Sequence, residues 1–137
     1  MELFTSYWQN PNLVENGEVL PVGISRGTLP GMTRKKKTYD YKRLGLLAPS
    51  DGLYDAWKAG EIDEEAYTRI YRTQLERIGL EKIQAQLTRK AREGDKPLVL
   101  LCFEKPGEFC HRRLFAGWYR EKTGQIVPEL GSWTSES

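Results

Sequence analysis

"PLVLLCFEKPGEFCHRRLFAGW", residues 97–118, decides the fold. Its opening, Pro97 to Glu104, is a near-continuous apolar run, the pattern of a strand buried on both faces, and such strands belong to parallel sheets covered by helices. After a short turn, "EFCHRRLFAGWYREKTG" reads as a helix that points Phe115, Trp118 and Tyr119 inward and stops at Gly124. Both cysteines and the only histidine of the chain fall at this strand-to-helix passage, beside two arginines.

Upstream the helical pattern is clear. Asp63 is a cap for a helix starting at Glu64, with Ile62 and Tyr67 placed as a hydrophobic staple. Ala66, Tyr67, Ile70, Tyr71, Gln74, Leu75 and Ile78 share one face, and Gly79 is the stop. A second helix, Glu81 to Glu93, turns Ile83, Leu87 and Ala91 inward and ends near Gly94. "LFTSYW" (3–8) and "VLPVGIS" (19–25) are strands, the second placed at an edge or at its own beginning by Pro21. Between Arg26 and Asp51 the breakers and charges predict a long loop with at most one helical turn. "QIVPEL" (125–130) is a short last strand. Strand, helices, buried strand and helix give an α/β order. The expectation is a small three-layer α/β domain with a mostly parallel sheet covered by helices: one domain over 1–130, a basic loop at about 27–50, and a flexible tail over 131–137.

Bulk composition excludes more than it assigns. With 137 residues, 39% hydrophobic and 29% charged, the chain has the length and apolar content of one globular core. A formal net charge of +2 is too small to imply a nucleic-acid or membrane partner by itself. The N-terminus lacks a basic region followed by an apolar run, and no apolar stretch approaches the ~18–20 residues that span a bilayer. These features predict a cytoplasmic, reduced protein with free thiols and no membrane partner.

In a parallel sheet, ligand sites gather outside the carboxyl ends of the strands, where following helices present their N-termini. At those ends stand Thr5, Ser6 and Tyr7, then Ser25 and Arg26, then Cys102 and Glu104, with Cys110 to Arg113 opening the next helix. A thiol at a helix start, near an arginine, ionises more readily than free cysteine, and the same geometry binds a phosphate or carboxylate without covalent chemistry. Plainer roles compete: Cys102 as core packing, His111 as a satisfied structural group. Of Arg112 and Arg113, about 100° apart on the helix, one faces the site and one solvent, and the pattern leaves open which. A metal site built from Cys102, Glu104, Cys110 and His111 matches no structural zinc spacing. Neither a metal nor a cofactor is expected. A Cys102–Cys110 disulfide is sterically conceivable, but the compartment argues against a permanent one.

"TSYW", "VGISRGTLP", "LAPS", "EEAYTRIYRTQL" and "LLCFEKPGEFCHRRLFAGW" together resemble the bacterial and phage family known as domain of unknown function 488. The resemblance covers about residues 3–120, and its most specific part is the Leu-Leu-Cys-x-Glu strand end followed by Cys-His-Arg. It implies a compact α/β domain with a parallel sheet. It also implies a site around Ser25, Arg26, Cys102, Glu104, Cys110, His111 and Arg112, favouring Arg112 as the site arginine. It brings no reaction. The chain departs from plainer forms of the family in its basic "GMTRKKKTYDYKRLG" loop.

Two functional expectations follow. The first is binding of a small anionic, phosphate-bearing or nucleotide-like ligand at the Cys-His-Arg helix start. In a cysteine-dependent enzyme version, Cys110, His111 and Glu104 are catalytic, while Ser6, Ser25, Arg26, Cys102 and Arg112 bind the ligand. The alternative is a non-catalytic nucleic-acid-associated protein using the basic loop, where Arg34, Lys35, Lys36, Lys37, Lys42 and Arg43 flank Tyr39 and Tyr41. Tyr54, Trp57 and Trp118 read as core. The oligomeric state is open.

Overall fold

A computed structural model describes residues 1–10, 13, 18–26, 41–104 and 107–130. The central strand is the apolar run: β4 (Leu98–Cys102), fully buried along its length. It lies between β1 (Leu3–Tyr7) and β2 (Leu20–Gly23), and β3 (Lys42–Arg43) completes the order β1-β4-β2-β3, with every pairing parallel. Leu3 to Tyr7 pair with Leu98 to Cys102 in strict register, and Leu20 to Gly23 pair with Leu98 to Leu101. All carboxyl ends therefore meet at one edge of the sheet.

Pro21 lies inside β2, which is not an edge strand. The Leu20 and Ile24 amides donate toward β4, to Pro97 and Leu101 carbonyls, so position 21 faces the other way. On that side β3 pairs only with Val22 and Gly23, and the missing N–H costs no ladder bond.

Four helices follow among the described residues: α1 (Asp51–Lys58), α2 (Glu64–Ile78), α3 (Leu80–Gly94) and α4 (His111–Thr123). The caps behave as the sequence predicts for α2 and α4. Asp63 accepts from the Ala66 amide, and Gly124 ends α4 in the left-handed conformation. Within α2, Tyr67, Tyr71 and Leu75 are buried while Ile70 is exposed, a narrower inward stripe than the periodicity suggests. The helix α1 starts where the expected loop ends, in a stretch to which the sequence reading assigned no element. Ser50 and Asp51 look like turn residues, but Ser50 is an N-cap accepting from the Leu53 amide, with Asp51 in the first turn and Lys58 in the last. Ahead of it, Lys42–Arg43 form a strand and Gly45–Leu47 the single helical turn that was expected. The basic residues Arg34 to Lys37, Tyr39 and the tail 131–137 lie outside the described residues.

Pleat parity divides the core in two. Leu98 and Leu100, with Leu3 and Val22, meet the buried faces of all four helices, including Leu53, Tyr71, Ile83, Phe115 and Trp118. Val99 and Leu101 face the other way, against Trp8 and Leu13, with Phe4, Val19, Tyr41 and Leu130 packed around them. The protein is a small α/β domain, and on this second face the described cover comes from strand ends and connecting segments rather than from a helix. Trp8 fits there because position 23 is glycine: a Cβ at Gly23 would stand 2.6 Å from the indole. The expected last strand is a single parallel bridge, Thr5 to Glu129, with the Leu130 amide donating to the Thr5 carbonyl.

Candidate functional site

A cavity of about 610 Å³ opens where the strand ends meet. Its floor comes from the passage between β4 and α4: Cys102, Phe103 and Glu104 on one side, Phe109, Cys110 and His111 on the other. Ser25 and Arg26, just past β2, form one wall. The roof is Pro49 with Tyr54, Trp57 and Lys58 of α1, and Tyr67 of α2 closes the back. A wider depression of about 910 Å³ runs along the outer face of α2, but its walls include Arg72 and Glu76, each already ion-paired, to Glu121 and Lys122. It is ordinary charged helix surface.

Cys110 is the N-cap of α4 and only 5% exposed. Its thiol is held below the usual cysteine value. The Cys102 S–H donates to its sulfur, Arg112 supplies positive charge, and the Arg113 amide helps without closing a full cap bond, against burial and the charge of Glu104. Cys102 goes the opposite way. Burial, its role as donor to Cys110 and the Cys110 charge raise it well above the ordinary value, outweighing Arg112. The two thiols are thus pushed in opposite directions, Cys110 toward ionisation and Cys102 away from it, and neither cysteine is in a disulfide.

Arg112 is completely buried, yet it does not line the cavity. Its guanidinium forks onto Glu129 (Nη2 to Oε2 2.7 Å, Nε to Oε1 3.0 Å), while Nη1 donates to Cys102 Sγ at 3.0 Å. It acts on the sulfurs from behind. Arg113 instead reaches the Thr5 hydroxyl and the Val127 carbonyl, both at 2.8 Å, so it fastens the terminal segment rather than facing solvent alone. His111 donates from Nε2 to the Ile24 carbonyl at 2.7 Å and packs edge-on against Tyr71. Burial lowers its pKa, which leaves the ring neutral with that N–H occupied.

Ser25 lines the cavity, with its hydroxyl accepting from Trp8 Nε1 at 3.0 Å. Arg26 lines it too, paired with the exposed Asp51 at 2.6 Å and lying 4.4 Å from the centre of the Tyr54 ring. Ser6 does not reach it. Paired with Leu101, it points to the opposite face of the sheet from Cys102 and donates to the Leu130 carbonyl.

Sequence reasoning missed the aromatic roof. Trp118 is core, but Tyr54 and Trp57 line the cavity. Trp57, Tyr67 and Phe109 stack as a triad with centroids 5.3 Å apart in each pair. Lys58 joins Arg26 over Tyr54, at 5.7 Å from the ring centre. The cap at Ser50 was the available signal for α1, and it was masked by its resemblance to a turn. Tyr41 and Arg43, part of the expected basic cluster, have structural partners: Tyr41 stands edge-on to Trp8, and Arg43 donates to the Ser25 carbonyl at 2.8 Å.

Among the described residues no helix is long and apolar enough to cross a membrane. No curated protein and no solved structure matches the chain. A family match does exist, to the active DUF488-N3 subclade, and it runs over residues 5–123, from β1 to the last residue of α4. That span contains every cavity-lining residue, while Glu129 lies beyond it. The chain belongs to the DUF488-N3a family.

Proposed function

We propose that the cavity binds a small phosphate-bearing, nucleotide-like ligand and that Cys110 is the reactive group toward it. The observation that carries this reading is the cavity's polarity: the Cys110 thiol and the Glu104 carboxyl at the floor, Arg26 and Lys58 together on Tyr54 at the roof, and an aromatic triad between. A phosphate suits the cationic end, and a planar ring suits the aromatic wall. This moves the anion away from the α4 start, where the Glu104 carboxyl and the Cys110 thiol stand and, among the described residues, no cation lines the cavity.

In the enzymatic form, Cys110 Sγ attacks an electrophilic centre of the ligand and the leaving group departs with the bonding pair. Water then displaces the sulfur while Glu104 takes the water's proton, regenerating the thiolate. Cys102 donates its hydrogen bond to that thiolate, Arg112 orients Cys102, and His111 fixes the start of α4 to the end of β2.

Calorimetry with adenosine 5′-monophosphate, thymidine 5′-monophosphate and inorganic phosphate tests the binding, alongside iodoacetamide labelling of the free protein. Nucleotides should bind more tightly than phosphate, and Cys110 should alkylate well before Cys102. Equal, slow labelling of both thiols would remove the nucleophile. Binding only of single-stranded oligonucleotides, weakening steeply with salt, would replace the reading with nucleic-acid association through the basic loop.

A further inference from the structure

We propose that Cys102, Cys110 and Glu104 form a binding site for a thiophilic divalent ion, Zn²⁺ the best fit, with a fourth coordination position open to the cavity. The two sulfurs and a Glu104 oxygen lie within 4.8 Å of one another, and all three residues line the same cavity. Tetrahedral zinc with ~2.3 Å sulfur and ~2.0–2.2 Å oxygen bonds needs ligand atoms about 3.5–3.8 Å apart, so a short inward adjustment suffices. Three protein ligands and one open position is the arrangement of reactive rather than purely structural zinc. Two thiolates select a soft ion over Mg²⁺ or Ca²⁺.

A second feature supports the site independently. Arg112 Nη1 donates to Cys102 Sγ at 3.0 Å, an outer hydrogen bond of the kind that holds a metal-bound thiolate in place, and Glu129 balances the guanidinium charge. A thiolate has lone pairs enough for both the donor and the ion. His111 is not a fourth ligand through Nε2, because that nitrogen donates to Ile24.

Binding releases the Cys102 proton and occupies the lone pair with which Cys110 would attack. The inference rests on the proposed function for the cavity's role: the ion would be a regulator of that site, silencing the nucleophile while presenting a Lewis-acidic position to an anion.

Titration of chelator-treated protein with Co²⁺ should give one equivalent of thiolate-to-cobalt charge-transfer absorption with intense tetrahedral visible bands, displaced by Zn²⁺. Cys110→Ser should diminish that absorption, and Glu104→Gln should weaken binding about tenfold or more while keeping the sulfur bands. In the wild-type protein, where folding is not in question, Zn²⁺ should slow alkylation of Cys110 about tenfold or more, in line with loss of its thiolate lone pair to the metal. Absent charge-transfer absorption, or an alkylation rate indifferent to Zn²⁺, overturns the site. Nucleotide binding by metal-free protein with no cobalt signal would sink the metal site and leave the cavity reading standing; a cobalt signal without nucleotide binding would do the reverse.

Discussion

The floor and the roof of the cavity are built differently. At the floor Cys102, Cys110 and His111 are buried, with Arg112 buried behind them, and fixed contacts hold the group: Arg112 to Glu129 and to Cys102, His111 to Ile24. The roof rests on a two-turn helix whose approach segment hangs from α2. Gln74 donates to the Ala48 carbonyl and accepts from the Ser50 amide, and the Tyr71 hydroxyl donates to the Leu47 carbonyl. Of its polar groups, Asp51 and Lys58 are exposed and the Arg26 side chain is about one-third exposed. Buried groups with fixed partners hold reactive atoms in one geometry, whereas exposed cations on an aromatic ring adapt to what enters. In the proposed function the floor supplies the chemistry and the roof the selection.

Breaking the floor should cost most. Glu129→Ala leaves a fully buried guanidinium without its carboxylate, and denaturant unfolding should show a loss of about 3–5 kcal/mol. A loss under ~1 kcal/mol would show that the floor is as pliable as the roof.

A moderate effect should come from acidification. His111 has a lowered folded pKa, so below the ordinary histidine value of ~6.5 the unfolded chain takes up a proton that the folded chain resists, and stability falls as pH falls through that window. His111 is the only histidine, so His111→Gln should flatten thermal-melt dependence there. An unchanged slope would assign it to other groups.

The roof should give the smallest change in stability. Arg26→Gln removes a pair whose partner is 85% exposed, so the melting temperature should hardly move, within the ~0–1 kcal/mol of surface pairs. Nucleotide affinity should nevertheless fall clearly. A stability loss comparable to that of Glu129→Ala would erase the distinction between floor and roof.

Legibility followed the same division. The buried strand, the capped α2 and the Cys-His helix start are local signals: hydrophobic period, an Asp before an amphipathic run, a glycine stop. Each proved sufficient because nothing in the tertiary structure opposed it. Arg112 shows the limit. The helical pattern leaves Arg112 and Arg113 undecided and only the family resemblance favours Arg112; its partner Glu129 lies 17 residues away, and no local pattern announces that pairing. Tyr54 and Trp57 show another: a large aromatic at helical spacing looks the same in a core and on a cavity wall, and only the packing of α1 over the strand ends distinguishes them.

By itself the sequence determined the α/β order, the central position of the apolar strand, and the meeting of two thiols, a histidine and a carboxylate at one sheet edge. Those follow from periodicity and chain direction, since parallel strands bring all their carboxyl ends to the same side. Only the tertiary structure decided which thiol is pushed toward ionisation, which arginine lies behind the sulfurs, and which side chains line the cavity. Protonation and charge pairing depend on distances of a few ångströms between residues far apart in the chain, and on how much water is excluded between them.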